Sequence, residues 1–467
     1  MATPAKAESG PAPDGLPAGE RRLAMLSVAA GVGMASLDTS IANTALPAMA
    51  LQLQATPADS VWIVTAYQLA MVATLLPFAA LSEIVGYKKV NLAGLLLFAA
   101  ASLACALAPN LPVLIGARLA QGLGASAIMS VNGALLRVIY PSRLLGQGFG
   151  TNALVVAVAF SLGPALASAI LSVATWPWLF GINIPFGAIA LILGWRALPR
   201  RRAAPAAGRT PYDVPAALCN IGAFGLLIFA VGEAAHHRHA GVTSLELVVA
   251  AALLGLQVRR ERSSASPIFP VDLFRRPLFS LSALTATLTF ATQSLGFVGL
   301  PFFFEAALHR SAVDIGLLIT PWPVVVGIMA PIAGRLSDRY PPGALAGIGL
   351  AMLSAGMAAL ATLTPQATVL EIAARMTLCG MGFGFFQAPN LKAMMSSAPP
   401  HRSGGASGII ATARLTGQAS GAALAAFCLS LSVPQGARYA LWLAAVLSAT
   451  GSIVSVSRLF VRQDAMD

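Results

Sequence analysis

Apolar residues along this chain fall into long blocks separated by short polar or basic interruptions. A helix needs about 20 consecutive, mostly apolar residues to cross a bilayer core. Fourteen segments reach or approach that length: 22–50, 60–81, 90–108, 111–136, 147–172, 177–198, 212–233, 243–258, 278–305, 312–336, 343–364, 367–396, 404–430 and 437–459. The pattern predicts an all-α polytopic membrane protein with 14 transmembrane helices, the eighth the shortest. Residues 1–20 are polar and rich in Ala, Pro and Gly, which predicts a disordered tail. The apolar run after them is too long for a cleaved signal peptide and lacks a convincing cleavage site.

Composition agrees with this class. Of 467 residues, 57% are hydrophobic and 10% charged, against about 25% charged in soluble domains. The basic residues set the orientation, because cytoplasmic loops are enriched in Lys and Arg. One set of alternate interruptions holds Lys88, Lys89, Arg137, Arg143, Arg196, Arg200, Arg259, Arg335 and Lys392 among others, whereas the opposite set holds only Arg238, Arg310 and Arg438. An integral, multi-pass protein of the cell (inner) membrane is expected, with both termini cytoplasmic and lipid around it. The net charge of +12 is scattered over many short loops, so no nucleic-acid partner is expected. Cys105, Cys219, Cys379 and Cys428 lie inside apolar blocks without a Cys-x-x-Cys spacing, which points to neither a disulfide framework nor a zinc site. The run "HHRH" at 236–239 reads as a surface cluster rather than a metal site, and no metal or other cofactor is expected.

The chain also repeats itself. "ARLAQGLGASAIMSVN" (117–132) resembles "ARMTLCGMGFGFFQAPN" (374–390), "LSEIVG" (81–86) resembles "LSDRYP" (336–341), and the segment from 146 resembles that from 404, with Gly163 matching Gly421. The offsets are all about 255 to 258 residues and keep the same order. Two parallel bundles of six helices follow, as in transporters whose halves are related by an axis normal to the membrane. The expected organisation is a tail (1–20), a first bundle (21–199), a cytoplasmic linker (200–211), an inserted hairpin (212–258), a second linker (259–277), a second bundle (278–460) and a tail (461–467). The expected state is a monomer.

Four motifs in order resemble the major facilitator superfamily, and within it the fourteen-helix drug:proton antiporter branch: "LDTSIANTALP" (37–47), "ARLAQGLGAS" (117–126), "SLGPALAS" (161–168) and "WPWLFGINIPFG" (176–187). The resemblance implies a proton-coupled antiporter with a proton gradient as energy source. It assigns Arg118 a part in proton transfer. It makes Gly163 and Pro164 the marker of exporters, and the loop after the second helix a gate. That loop departs from the family pattern. Glu83 stands for the usual Asp, Ile84 and Tyr87 for the Args, and Ala79 for the first Gly, while Gly86, Lys88 and Lys89 remain. Asp338 occupies the matching place in the second half.

Asp38 is the most unusual residue, a carboxylate near the middle of a membrane helix. Such a group costs about 2.5–3.5 kcal/mol on insertion scales and must face a cavity or a partner. Arg118 descends to a comparable depth, with Gln121 one turn away. A structural Asp38–Arg118 pair and a proton- or cation-binding Asp38 both fit. Asn43 is a further candidate for the same site. Glu305 follows the aromatic run "PFFFE" (301–305); like Glu233 and Glu246, it reads either as an interfacial acid or as a proton-entry acid. Arg375 has Glu371 one turn away for an i,i+4 pair. Arg414 has no acid in sight, and favours an anionic or zwitterionic cargo if it faces the substrate. Trp62, Tyr67, Phe290, Phe297, Trp322 and Phe386 are candidate cavity aromatics. No His-Glu-x-x-His, Gly-x-Ser-x-Gly or phosphate-binding Gly-x-x-x-x-Gly-Lys-Ser/Thr sequence is present, which disfavours an enzyme or an ATP-driven pump. The expected function is proton-coupled multidrug efflux of lipophilic, cationic small molecules, with export of a specific metabolite, anionic or zwitterionic, or proton-coupled uptake as alternatives.

Overall fold

In an apolar surrounding every backbone polar group must be satisfied within its own segment, and only helices do so one at a time. The computed structural model describes residues 15–199, 212–234, 240–261, 271–398 and 403–461, and its regular elements are all helical. The expected tail at 1–14, the linker at 200–211, "HHRH" and residues 262–270 and 462–467 lie outside the described residues.

The first half comprises α1 (Ala18–Gln52), α2 (Pro57–Ser60), α3 (Trp62–Val85), α4 (Tyr87–Ala106), α5 (Leu111–Ile139), α6 (Leu145–Val173), α7 (Pro177–Gly181) and α8 (Asn183–Ala197). Helices α9 (Val214–Ala234) and α10 (Ala240–Glu261) form a hairpin. The second half comprises α11 (Pro277–Ala306), α12 (Ala312–Ile319), α13 (Pro321–Leu336), α14 (Pro342–Ala361), α15 (Val369–Ser397), α16 (Ser403–Leu431) and α17 (Val433–Ser457). α1 begins at Ala18, inside the stretch expected to be a tail. The segments at 177–198 and 312–336 are each broken, at Ile182 and Thr320, into a short helix and a longer one.

Twelve spans, rather than the expected 14, are long and apolar enough to cross a membrane among the described residues. α9, a helix of 21 residues, is apolar over Val214–Ala230, and α16 is not among the 12. α16 carries Gly, Ser, Thr and Gln residues and Arg414 because it packs inside protein, against α3, α9, α11 and α17. A helix surrounded by helices needs no lipid-facing apolar stripe. The reverse holds for α10, which buries 11% of its apolar window against protein, whereas α11 buries 83%. The hairpin is therefore peripheral. α9 lies along α3 and α16, with Phe229 against Trp62 at 5.6 Å between ring centres. Asn220 and Gln257, both fully buried, are paired across the hairpin at 3.5 Å.

Within each half, glycines bring helix backbones together, as expected where dispersion replaces the hydrophobic effect. The contacts repeat. Gly124 of α5 rests on Gly94 and Phe98 of α4, and Gly382 of α15 rests on Gly349 and Leu353 of α14. Gly122 meets the Tyr67 backbone of α3, and Gly380 meets the Trp322 backbone of α13. Gly163 of α6 meets Ser40 of α1, and Gly421 of α16 meets Ala291 of α11. Pro164, one residue on, has no N–H to offer the Phe160 carbonyl four residues back. The Ser40 hydroxyl donates to that carbonyl instead, at 2.8 Å, so Gly163 and Pro164 form one joint between α1 and α6.

Gly124→Leu is expected to destabilise the protein by about 1–3 kcal/mol through overpacking, because even a Cβ there would lie 2.6 Å from the Phe98 nitrogen. Gly116→Ala, where nothing lies within 4 Å, is expected to stay within about 0.5 kcal/mol. Thermal unfolding of the two variants in detergent compares them.

Candidate functional site

Asp38 and Arg118 meet. Arg118 Nη1 donates to Asp38 Oδ2 at 2.5 Å, and the two residues are 0% and 1% exposed, respectively. The helices place them there for different reasons. α1 carries Asp38 on its protein-facing side, next to buried Ser40 and Ile41. α5 carries Arg118 and Gln121 three residues apart, on one face. Gln121 completes the bridge, its Oε1 accepting from Arg118 Nη1 at 2.5 Å and its Nε2 donating to Asp38 Oδ1 at 2.9 Å. Asn183, at the start of α8, donates to the same Asp38 oxygen at 2.8 Å. The carboxylate thus accepts from a guanidinium and two amides, a surrounding made of donors only and matched to a group that only accepts. Arg118 Nε donates to the Ile63 carbonyl at 2.8 Å, and Gln121 Nε2 also reaches Ser102 Oγ at 2.9 Å. Arg118 Nη2 is the one guanidinium nitrogen of this network with no hydrogen-bond partner among the described residues.

Tyr67 closes the network on one side. Its ring lies 4.3 Å from the Arg118 guanidinium carbon, and its hydroxyl donates to the Ala35 carbonyl at 3.3 Å. Beyond it a pocket of about 60 Å³ is lined by Thr39, Tyr67, Gln68, Arg414 and Gln418, among others. Arg414 also lines a larger cavity of about 280 Å³ between the two halves, with Asn132, Asn152, Phe290, Phe386 and Asn390. Every lining residue of this cavity lies in the part of its helix nearer the basic loops. At the opposite end the halves are in contact. Ser168 donates to the Val313 carbonyl at 2.8 Å, Ser161 donates to the Pro323 carbonyl at 3.0 Å, Gly316 abuts Pro164, and Phe160 meets Phe297 at 5.3 Å. The cavity is thus sealed at one end by α6 against α12 and α13.

The other sequence candidates are spread out. Asn43 is buried on α1 outside the network, its Oδ1 without a partner. Glu305 is exposed at the end of α11, away from both cavities. Glu246 is partly buried on α10 with Oε2 unpartnered, and the Glu233 side chain lies outside the described residues. Glu83 and Lys89 are exposed. Lys88 donates to the carbonyls of Trp195 and Leu198 at 2.7 Å each, capping the end of α8 within its own half. Gly86 takes φ +105°, the backbone shape that turns α3 into α4 and that favours glycine. Asp338 pairs with Lys392 at 2.6 Å near the surface. Glu371 and Arg375 form the expected i,i+4 pair. Of the candidate aromatics, Phe290 and Phe386 line the larger cavity and Tyr67 the smaller. Trp62, Phe297 and Trp322 pack against neighbouring aromatic rings.

Sequence reasoning placed Asn183 within the motif at 176–187 but gave it no role, and it missed Ser102 and Arg458. Asn183 and Ser102 carry a weak signal, a polar residue inside an apolar block. Arg458 lies at the very end of the expected span 437–459 and drew no assignment from the sequence, yet it is 5% exposed.

A helical chain of two like halves, with a cavity between them and an acid–guanidinium pair beside it, is built as a carrier. The sequence profile of the Major Facilitator Superfamily matches residues 28–422 and 282–465. The chain belongs to that superfamily. It is 46% identical to the uncharacterized transporter YebQ of Escherichia coli strain K12, over 96% of this chain and 97% of that one. It is 28% identical to the riboflavin transporter RibZ of Clostridioides difficile (85% of each chain). It is 30% identical to the multidrug resistance protein Stp of Mycobacterium tuberculosis (91% of this chain, 77% of that one). This major facilitator is therefore an integral, multi-pass membrane carrier, kin to resistance transporters.

Removing one member of a buried pair leaves the other uncompensated, at about 3–5 kcal/mol. Asp38→Ala is expected to lower thermal stability on that scale. The double variant Asp38→Ala/Arg118→Met is expected to recover part of the loss, as a double-mutant cycle of melting temperatures in detergent would show.

Proposed function

We propose that this chain is a proton-coupled exporter of lipophilic small molecules. It works by alternating access from an inner membrane that it crosses 14 times, with both termini in the cytoplasm. The observation that carries the reading is the position of the Asp38 network, one side chain away from the cavity. Tyr67 touches Arg118 with its ring and lines the pocket it shares with Arg414. By the distribution of basic loops, the cavity side is cytoplasmic, and the sealed end at α6 and α12 faces outward. The structure then corresponds to a carrier ready to load from the cytoplasm.

Proton binding at Asp38 changes what the network holds. A protonated carboxyl is no longer an anion for Arg118, and one of its oxygens turns donor toward neighbours that are donors themselves. Arg118 is then released toward other acceptors, and Tyr67, stacked on it, shifts with it. A proton arriving from outside thus acts on the cavity wall without entering the cavity. Each charge gains about 2.3 kcal/mol per 100 mV of membrane potential, and each pH unit adds about 1.4 kcal/mol. One proton per turnover therefore sustains a gradient of tenfold or more at about 1.4 kcal/mol per decade. Similarity to a multidrug resistance protein supports broad export, and similarity to a riboflavin transporter supports the second reading, a single metabolite as cargo. The antiporter branch remains the best home for the Gly163–Pro164 joint.

Everted membrane vesicles carrying the protein are expected to release an imposed proton gradient when an exported compound is added from a panel of cationic, neutral and anionic molecules. Asp38→Asn is expected to reduce that release at least tenfold while the protein remains folded. Release by the variant equal to wild type, with every active compound, would remove Asp38 from coupling.

A further inference from the structure

Among its described lining residues the central cavity holds a cation and no acid. Arg414 reaches it from the middle of α16 and also lines a smaller compartment, the pocket beside Tyr67. Its Nε is buried with no hydrogen-bond partner, and no ion pair engages it among the described residues. The polar groups lining the larger compartment with it are amides and a hydroxyl: Asn132 of α5, Asn152 of α6, Gln387 and Asn390 of α15, and Ser407 of α16. The smaller compartment adds Gln68 and Tyr67 of α3, Ser36 and Thr39 of α1, and Gln418. No Asp or Glu stands among the described residues of either wall. Asp38 lies behind Tyr67 and is occupied by Arg118.

A second cation stands directly behind the wall. Arg458, after α17, donates through Nη1 to Asn390 Oδ1 at 2.7 Å and to Ser282 Oγ at 2.9 Å, and through Nη2 to Ser455 Oγ. These partners are all neutral. Asn390 is thereby held against the cavity with its amide nitrogen on the Ser282 carbonyl at 3.1 Å. Low-dielectric walls focus the field of such charges into a cleft and enrich ions of opposite sign there. A buried guanidinium without a counterion is costly, and its planar fork matches a carboxylate with two parallel hydrogen bonds. The wall also carries an aromatic patch. Phe290, Phe383 and Phe386 form an edge-to-face cluster, with ring centres 5.6 to 6.3 Å apart, and two of the three face the cavity.

We propose that the cavity selects organic anions: cargo with an aromatic or apolar body carrying a carboxylate, the carboxylate meeting Arg414 and the body lying on Phe290 and Phe386. The proposal rests on the carrier reading above and replaces the cationic cargo expected from the sequence, for which the described wall of the cavity offers no counter-charge. Asn132 and Asn152 each leave an amide oxygen unpartnered, places where N–H or O–H groups on the body add specificity. The charge also sets the energetics. Exchange of one outgoing monoanion for one incoming proton moves two positive charges inward, whereas exchange of a monocation for a proton moves none. An interior-negative membrane therefore drives this export twice over.

The test uses the full chain in proteoliposomes and matched aromatic probes: naphthoates and related aryl carboxylates, the corresponding amides, and the corresponding methylammonium compounds. The membrane potential is set with potassium and valinomycin. Wild type is expected to move the carboxylates at least tenfold faster than the amines, and faster still when the potential is negative on the side from which cargo leaves. Arg414→Gln is expected to cut carboxylate transport more than tenfold with less than threefold effect on the amides, and Arg414→Lys to fall between. Size-exclusion profile and melting temperature report the folding of both variants, and the wild-type preference stands without them. Transport of the amines at equal or greater rate, or an Arg414→Gln variant with unchanged selectivity, overturns the anion assignment and leaves the carrier reading intact. Chloride moving as fast as the carboxylates overturns the organic-cargo part. Movement of none of the probes overturns both readings.

Discussion

A charge inside hydrocarbon must find its partner within the protein, and in this chain the Asp38–Arg118 pair meets that demand. Desolvation of either ion alone is prohibitive, so the pair ties α1 to α5, and through Asn183 and Gln121 it also engages α8 and Ser102 of α4. Four helices of the first half are thereby registered by one cluster of side chains. The same demand shapes lesser details. Ser40 fills the carbonyl left open by Pro164, Lys88 takes the last carbonyls of α8, and Arg458 binds three polar groups at the end of the second half.

The halves are alike in backbone and unlike in charge. Their glycines make matching helix contacts, so the repeat survives where steric fit is the constraint. The ionisable groups do not repeat. Among the described residues, the first half buries an acid with its cation, while the second half buries Arg414 and Arg458 with no acid paired to either. That division separates two surroundings, a buried network in which an acid meets its cation and a cavity whose described wall carries a cation. Tyr67 is the physical link, with Arg118 against its ring and Arg414 across the small pocket.

The hairpin of α9 and α10 shows how lipid and protein surroundings divide the residues. α9 covers the line where α3 meets α16, while α10 turns most of its apolar surface away from protein. α16 is the converse case, too polar by composition to stand out as a span and placed among other helices.

Much of this was legible in the order of residues. Apolar blocks of bilayer length dictate helices, because backbone groups in hydrocarbon have no other way to be satisfied. A recurring offset dictates two like halves, and an acid in a membrane helix demands a partner, with Arg118 at the matching depth. Helix breaks at Ile182 and Thr320 were not legible, and neither were the donors from Asn183 and Ser102 nor the burial of Arg458. Each depends on which residues of distant helices come within 3 Å, a distance that no spacing along one helix encodes. The sign of the cavity was decided only by packing. Sequence shows that Arg414 exists, but only the assembled helices show that Asp38 is already taken and that amides, rather than carboxylates, stand around Arg414.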